Sequence, residues 1–436
     1  MAETSVSDPV LAPITPASPT RPAQRIVSLD VIRGVALLGI LILNIVGMGM
    51  LSTAYYNPHG GVDGSHASSL DLSVWFVNEL FFEGSMRALF SMLFGAGVIL
   101  FTTTKSGALH YRRTFWLFVF GVFDGFFLQW TGDILLVYAI AGALLYFARN
   151  ASVKRLVVIA CALLVTLGLL RIASVYGLGL SEAAYKGNVA SELAGEPVSP
   201  ERADLASDWT DFLSGAVLPA EEQAQELAAR RGSYLSSFRW SAVKFGETLL
   251  FVVPFFLLWD ALAMMMIGMA LYRGGVLQGE RSASFYLKMA GAGIGLGLLV
   301  NSFELNRVLA SDYAVLQSFS FIQPTYDLGR LGLGLGYMAL IVWWVKRGFL
   351  QPVLARLAAV GQMALTNYLM HSLIALVLFT GAGFGLVAKL DRLQLYFIVF
   401  AIWGLQLWLS PWWLARHQQG PLEALWRRLT YGRATG

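Results

Sequence analysis

The sequence predicts an all-α fold, a polytopic transmembrane helical bundle of about ten spans with both termini cytoplasmic. Three observations carry this expectation. Of 436 residues, 56% are hydrophobic and only 13% charged, against roughly a quarter charged in soluble domains. Apolar runs of about 18 or more residues recur from end to end, as membrane helices require. The lysines and arginines collect in every second loop. A transmembrane barrel would show short alternating segments instead, and the chain has none.

The elements follow in order. Residues 1–24, rich in Pro, Ala, Ser and Thr, read as a disordered tail rather than a cleavable leader. Spans are expected near 31–51, 78–101, 114–130, 133–149 and 155–178, forming an N-terminal membrane half over 25–178. A second half, 247–414, holds spans near 247–271, 286–303, 326–346, 357–380 and 394–414. Between them, 179–246 carries ten Asp or Glu against six Lys or Arg and favours helix, so it is expected outside as a partly helical cap. Residues 415–436 form a basic cytoplasmic tail. Arg21 and Arg25, Arg112 and Arg113, Arg149 and Arg155, Arg273 and Arg281, Lys346 and Arg347, and Arg427 and Arg428 then fall on one side, the cytoplasm.

Cys161 is the only cysteine, which excludes disulfide frameworks and cysteine-based metal or redox centres. No zinc motif, nucleophile elbow or phosphate-binding loop occurs, and no metal or nucleic acid is expected. "GAGIGLGLLV" and "GRLGLGLGYMAL" lie inside apolar runs, so their glycines read as helix-packing faces rather than nucleotide loops.

Polar residues inside the spans are the candidate site. In "SLDVIRGVALLGILILNI" (28–45), Arg33 and Asn44 are eleven residues apart, almost three turns, which puts them on one stripe roughly 16 Å apart. Asp30 is one turn before Arg33 and can pair with it. Snorkelling by Arg33 and a helix-to-helix bond from Asn44 would account for both equally well. Asp124 and Asp260 are intramembrane acids, which usually face a cavity or a partner. Asp133 either caps the following helix or meets a ligand at the outer mouth. Asn367 and His371 share a face at i and i+4, as a hydrogen-bonded packing pair or a proton-handling one. Glu79, Glu83 and Arg87 stand at four-residue spacings, expected as an interfacial helix with an ion pair.

Several stretches carry a family resemblance: "RIVSLDVIRGVALLGILILNI", "LFSMLFGAGVIL", "WTGDILLVYAI", "GQMALTNYLMHSL" and "QGPLEALWRRLTYG". In this order they resemble the YeiB-like family (domain of unknown function 418), bacterial membrane proteins of unassigned function. The first helix is also similar to that of transmembrane acyltransferases, the acyltransferase-3 and heparan acetyltransferase types. The resemblance implies an acyl-CoA donor at Arg33 and Asp30 and an acceptor that is a small molecule or lipid-linked. It implies catalytic roles for Asn44, His59, His371 and Asp133, and substrate contacts for Asp124, Asp260 and Asn367. Asn44 stands where the acyltransferase-3 pattern has His, and an amide is no base, so the base falls to His59, His66 or His371. A small-molecule or lipid transporter, with the intramembrane acids lining a path, and a non-catalytic scaffold are the rival readings. Membrane lipids and a second copy of the chain complete the expected partners, in the bacterial inner membrane.

Overall fold

The computed structural model describes residues 26–55, 58–59 and 67–432. The expected tail, 1–24, and His66 lie outside the described residues. Among these, all secondary structure is helical.

Seventeen α-helices follow one another. The first half runs Val27–Gly49 (α1), Ser69–Phe81 (α2), Ser85–Thr102 (α3), Gly107–Val122 (α4), Leu135–Ala148 (α5) and Val153–Leu193 (α6). Pro200–Ala216 (α7), Ala220–Arg231 (α8) and Tyr234–Glu247 (α9) form the cap region. The second half is Leu258–Arg273 (α10), Ala283–Ala310 (α11), Val315–Ile322 (α12), Tyr326–Arg347 (α13), Gln351–Gln362 (α14), Ala364–Phe379 (α15), Arg392–Leu414 (α16) and Pro421–Tyr431 (α17). Serine and aspartate side chains start many of them. Ser106, Ser152 and Ser282 accept first-turn N–H groups of α4, α6 and α11, and Ser68 and Asp391 form capping boxes on α2 and α16.

Every expected span falls on helix. Among the described residues seven helices are long and apolar enough to cross a membrane, or eight with α14 and α15 taken as one bent span. The third and fourth expected spans are the shorter α4, prolonged by a π-helical turn at Phe123–Phe127, and α5. Three expectations need adjustment. The fifth span does not stop at 178, because α6 continues for 41 residues, roughly 60 Å, twice a hydrocarbon core. Glu79, Glu83 and Arg87 do not share one helix: the chain breaks at Gly84, whose φ of 65° is left-handed. The ninth span bends by 77° between α14 and α15.

α1 is the centre of the bundle. It packs against α3, α13, α14, α15 and α16, and most of its side chains are buried. Its closest neighbour is α14, and small residues make the approach. A Cβ on Gly34 would stand 2.1 Å from the Leu357 carbonyl oxygen, and one on Gly361 would stand 2.0 Å from that of Asp30. The glycine-rich runs of α11 and α13 likewise interlock, with Gly293 against Gly332 and Gly297 against Gly329.

The basic loops come together at one face. Ser28 Oγ donates to the Leu277 carbonyl (2.8 Å), Arg273 donates to the carbonyls of Ala151 (2.8 Å) and Arg149, and Lys346 Nζ donates to that of Gly279 (2.6 Å). The start of α1 is held there, and α8, α12 and the C-terminal end of α6 lie towards the opposite, far face. Gly361→Val should therefore lower the melting temperature in detergent by the equivalent of roughly 1–3 kcal/mol of overpacking. Gly404→Val, in open space, should leave it unchanged.

Candidate functional site

At the basic face Arg33 Nη1 meets Asp30 Oδ1 at 3.0 Å and the Gly361 carbonyl at 3.5 Å. Arg113 lies within its electrostatic reach, held between the rings of Phe101 and Trp426 at 5.0 and 4.5 Å. Trp426 belongs to α17, and its indole N–H donates to the Arg113 carbonyl (2.9 Å). Glu423 of the same helix caps α15 at the bend, accepting from the N–H groups of Leu365 (2.7 Å) and Thr366 (3.0 Å) and from Thr366 Oγ1 (2.6 Å). Burial pushes its carboxyl above the ordinary range, while these bonds pull the other way. The stretches 361–373 and 419–432, far apart in sequence, thus meet beside Arg33.

Arg33 and Asn44 do lie on one stripe of α1, and both are half-buried, as are Val35 and Gly47, while the rest of the helix beyond the exposed Val27 is closed in. Leu37, Ile40 and Leu41 between them are buried, so the two half-buried ends of the stripe are separated by a closed middle. Asn44 makes no side-chain hydrogen bond among the described residues. One turn further, Gly47 lines a small far-face cavity of about 30 Å³ together with Trp130, Ser237, Trp240, Ser372 and Thr380.

Arg230 of α8 closes that cavity over the end of α1. Its guanidinium donates to the carbonyls of Met50 (2.7 Å), Met48 (2.8 Å) and Gly47 (3.4 Å) and to Glu226 Oε1 (2.9 Å). The last-turn carbonyls of a helix have no partners within the helix, and a cation there also answers the helix dipole. Glu226 in turn accepts from Ser52 N (2.9 Å) and Oγ (2.7 Å). Burial pushes the Arg230 guanidinium down, and Glu226 opposes the shift.

Below the cavity, Asp133 caps α5, accepting from Leu135 N (3.1 Å), Leu136 N (2.9 Å) and, at 3.4 Å, the Tyr368 hydroxyl. Asp124 sits on the π-helical turn, fully buried and facing Asp133 and Ser372. His371 and Asn367 occupy the seam between α15 and α16. Gln406 Nε2 donates to the Asn367 carbonyl (3.1 Å) and lies 2.8 Å from His371 Nε2, while Asn367 Nδ2 donates to the Val360 carbonyl and to Ser410 Oγ, both at 3.1 Å. His371 is not among the residues lining the cavity; its neighbour Ser372 is. His59 packs edge-on against Tyr313, 4.6 Å between ring centres, in a satellite cluster around Trp75. It is not joined to Asn44.

Asp260 belongs to a second cluster, whose other members the sequence reading passed over except Glu83 and Arg87. Arg87 Nη2 is 3.4 Å from Asp260 and donates to the Tyr326 hydroxyl (3.0 Å), which donates to Glu83 (3.0 Å). Arg330 pairs with Glu304 (2.8 Å), Arg171 pairs with Asp327, and both guanidinium groups lie over the Tyr326 ring. The signal was present: Arg171 and Arg330 interrupt apolar runs as plainly as the intramembrane acids do.

The chain is 31% identical to the uncharacterized protein YeiB of Escherichia coli (strain K12) over 418 residues, 95% of this chain and 98% of that protein. It belongs to the YeiB-like family. Residues 271–433 match the family model described as "Protein of unknown function (DUF418)". The uncharacterized protein YxaH of Bacillus subtilis (strain 168) is 26% identical over 95% of this chain and 96% of its own length. An uncharacterized 39.9 kDa protein from the amylase 3' region of Bacillus acidopullulyticus is 25% identical, over 94% and 95%. No solved structure matches the chain.

Removing one member of a buried ion pair strands the other at a cost of roughly 3–5 kcal/mol. Arg230→Met should therefore lower the melting temperature sharply, and adding Glu226→Gln should recover part of the loss. Equal melting of the single and double variants would mean that the pair does not hold the end of α1.

Proposed function

We propose that the protein is a transmembrane acyltransferase of the bacterial cytoplasmic membrane, taking an acyl group from a cytoplasmic acyl-CoA to an extracytoplasmic or lipid-linked acceptor. One observation carries the reading: α1, enclosed by five helices, opens at polar side chains only at Arg33 and Asn44, and both lie on one stripe. In this reading the basic face is cytoplasmic. Arg33, oriented by Asp30, and Arg113 hold the donor's phosphates, since guanidinium groups suit phosphate oxygens. The acyl arm follows the stripe towards Asn44, whose amide N–H groups stabilise the oxyanion as the thioester carbonyl is attacked. Leu37, Ile40 and Leu41 must part to admit it, so donor binding and opening of α1 are one event. The acceptor approaches Asn44 from the far face, where the small cavity beside Gly47 must widen to admit it.

A second reading has its own observation. Two half-buried polar positions separated by a closed middle, with the buried acids Asp124 and Asp133 near the far-face cavity, also suit a proton-linked transporter. Donor binding separates the two. Titration calorimetry of coenzyme A and acetyl-CoA into the detergent-purified protein should show binding, weakened about tenfold or more in Arg33→Ala, as expected for loss of a charge-assisted contact. Absence of binding to the wild type would remove the donor and favour transport.

A further inference from the structure

We propose that the start of α4 and the C-terminal end of α17 form a headgroup site for an anionic phospholipid of the leaflet at the basic face, and that its occupation holds α17 down on α4 and α15. The proposal goes beyond the acyl-transfer reading and does not rest on it.

Positive charge gathers there beyond what the helices need. Arg427 and Arg428 lie near the end of α17, and the Arg112 guanidinium stands 3.9 Å from where a Cβ of Gly432 would be. Tyr431 is within electrostatic reach of both Arg427 and Arg113. Four guanidinium groups from two helices thus meet at one helix end, where a single cation would answer the helix dipole. α4 carries no carboxylate, and the one on α17, Glu423, is spent on Leu365 and Thr366. Arg112 and Arg428 are exposed, and neither is ion-paired among the described residues. Like charges gathered without a counter-charge call for an anion from outside the chain.

Beside these arginines the surface turns apolar, as a phospholipid requires. On α4 the exposed Tyr111, Phe115 and Phe118 follow one another at helical spacing from the level of Arg112. An acyl chain can lie along them while its phosphate meets the guanidinium. α17 has the build of a helix lying in the interface: Leu422 and Trp426 pack against the core, whereas Leu425 and Arg428 face outward. At the adjoining end of α16 the exposed indoles of Trp408 and Trp412, the latter under Arg416 at 4.4 Å, mark the boundary between headgroups and hydrocarbon. A free phosphate would use the arginines alone and leave the aromatic face of α4 without a role, so the ligand this surface fits is a lipid.

Seating α17 has a consequence for the bundle. Trp426 donates to the Arg113 carbonyl while its ring lies on the Arg113 guanidinium, and Glu423 caps α15 where the span bends by 77°. α17 is an end helix joined to α16 by a short connection, so its seat depends on these contacts and on what neutralises the arginines. Four like charges at one end push α17 away from α4. An anionic headgroup between the two helices removes that repulsion and fastens the bend through Glu423. In a bilayer of neutral lipid the bend loses this brace.

The full-length protein in nanodiscs of phosphatidylcholine, with or without phosphatidylglycerol, tests both parts. Native mass spectrometry should find phosphatidylglycerol retained in preference to phosphatidylcholine. Arg112→Gln combined with Arg428→Gln should cut that preference about tenfold or more, as loss of two guanidinium groups at an anionic surface implies. Lys154→Gln combined with Arg155→Gln, at the exposed start of α6, should keep it. With Cys161→Ser as background, Leu422→Cys on the inward side of α17 should react with a thiol reagent severalfold more slowly when phosphatidylglycerol is present. Inorganic phosphate added to phosphatidylcholine discs should not reproduce that protection. No preference for phosphatidylglycerol, a preference that survives the Arg112 and Arg428 pair or falls equally with the α6 pair, a Leu422→Cys rate indifferent to lipid, or protection by inorganic phosphate alone would each overturn the proposal.

Discussion

Enclosure of α1 is the constraint from which the rest of the arrangement follows. A helix surrounded by five others can carry a polar side chain only where a partner or an opening meets it. Glycine contacts at Gly34 and Gly361 bring α14 to backbone distance, which fixes where Arg33 emerges. The far end of α1 has the opposite problem, unpaired carbonyls, and α8 solves it by supplying Arg230. The cap region is thus tied to the central helix by its backbone rather than by surface contacts. Any motion that opens the stripe must engage the α14–α15 bend, where α17 inserts Glu423.

The cluster around Tyr326 plays a different part. It gathers charged side chains from α3, α6, α10, α11 and α13 and from the α2–α3 break near the far face, each paired and several stacked on one ring. Desolvating so many charges gains little net stability. What the pairing does fix is register: a helix displaced by one turn would leave a charge alone in apolar surroundings. Asp260 therefore reads as an anchor for Arg87, not as the wall of a substrate path. In the same way His371 is engaged with Gln406 in a helix seam, and His59 with Tyr313.

The fold was legible because hydropathy, cap residues and basic loops each report on backbone and membrane, which are local in sequence. The end of α6 was not, since "SEAAYKGNVASEL" continues the helix without the apolar signal that marked its start. The 77° bend was hidden because the chain stays apolar through Met363. Of the candidate site, the shared stripe of Arg33 and Asn44 and the Asp133 cap could be read from spacing alone. The meeting of Glu423 with Thr366, of Arg230 with the end of α1, and of Ser372 with Asp124 could not. Each joins residues dozens to hundreds of positions apart, and no periodicity encodes such pairings.

The most direct test is thiol accessibility along α1. With Cys161→Ser as background, single cysteines at 33, 37, 41, 44 and 47 are challenged with a membrane-impermeant reagent from either side of sealed vesicles. Arg33→Cys should react from the basic face, Asn44→Cys and Gly47→Cys from the far face, and Leu37→Cys and Leu41→Cys from neither until acetyl-CoA is added. Uniform protection of all five positions, or free reaction at 37 and 41 without donor, would contradict the account.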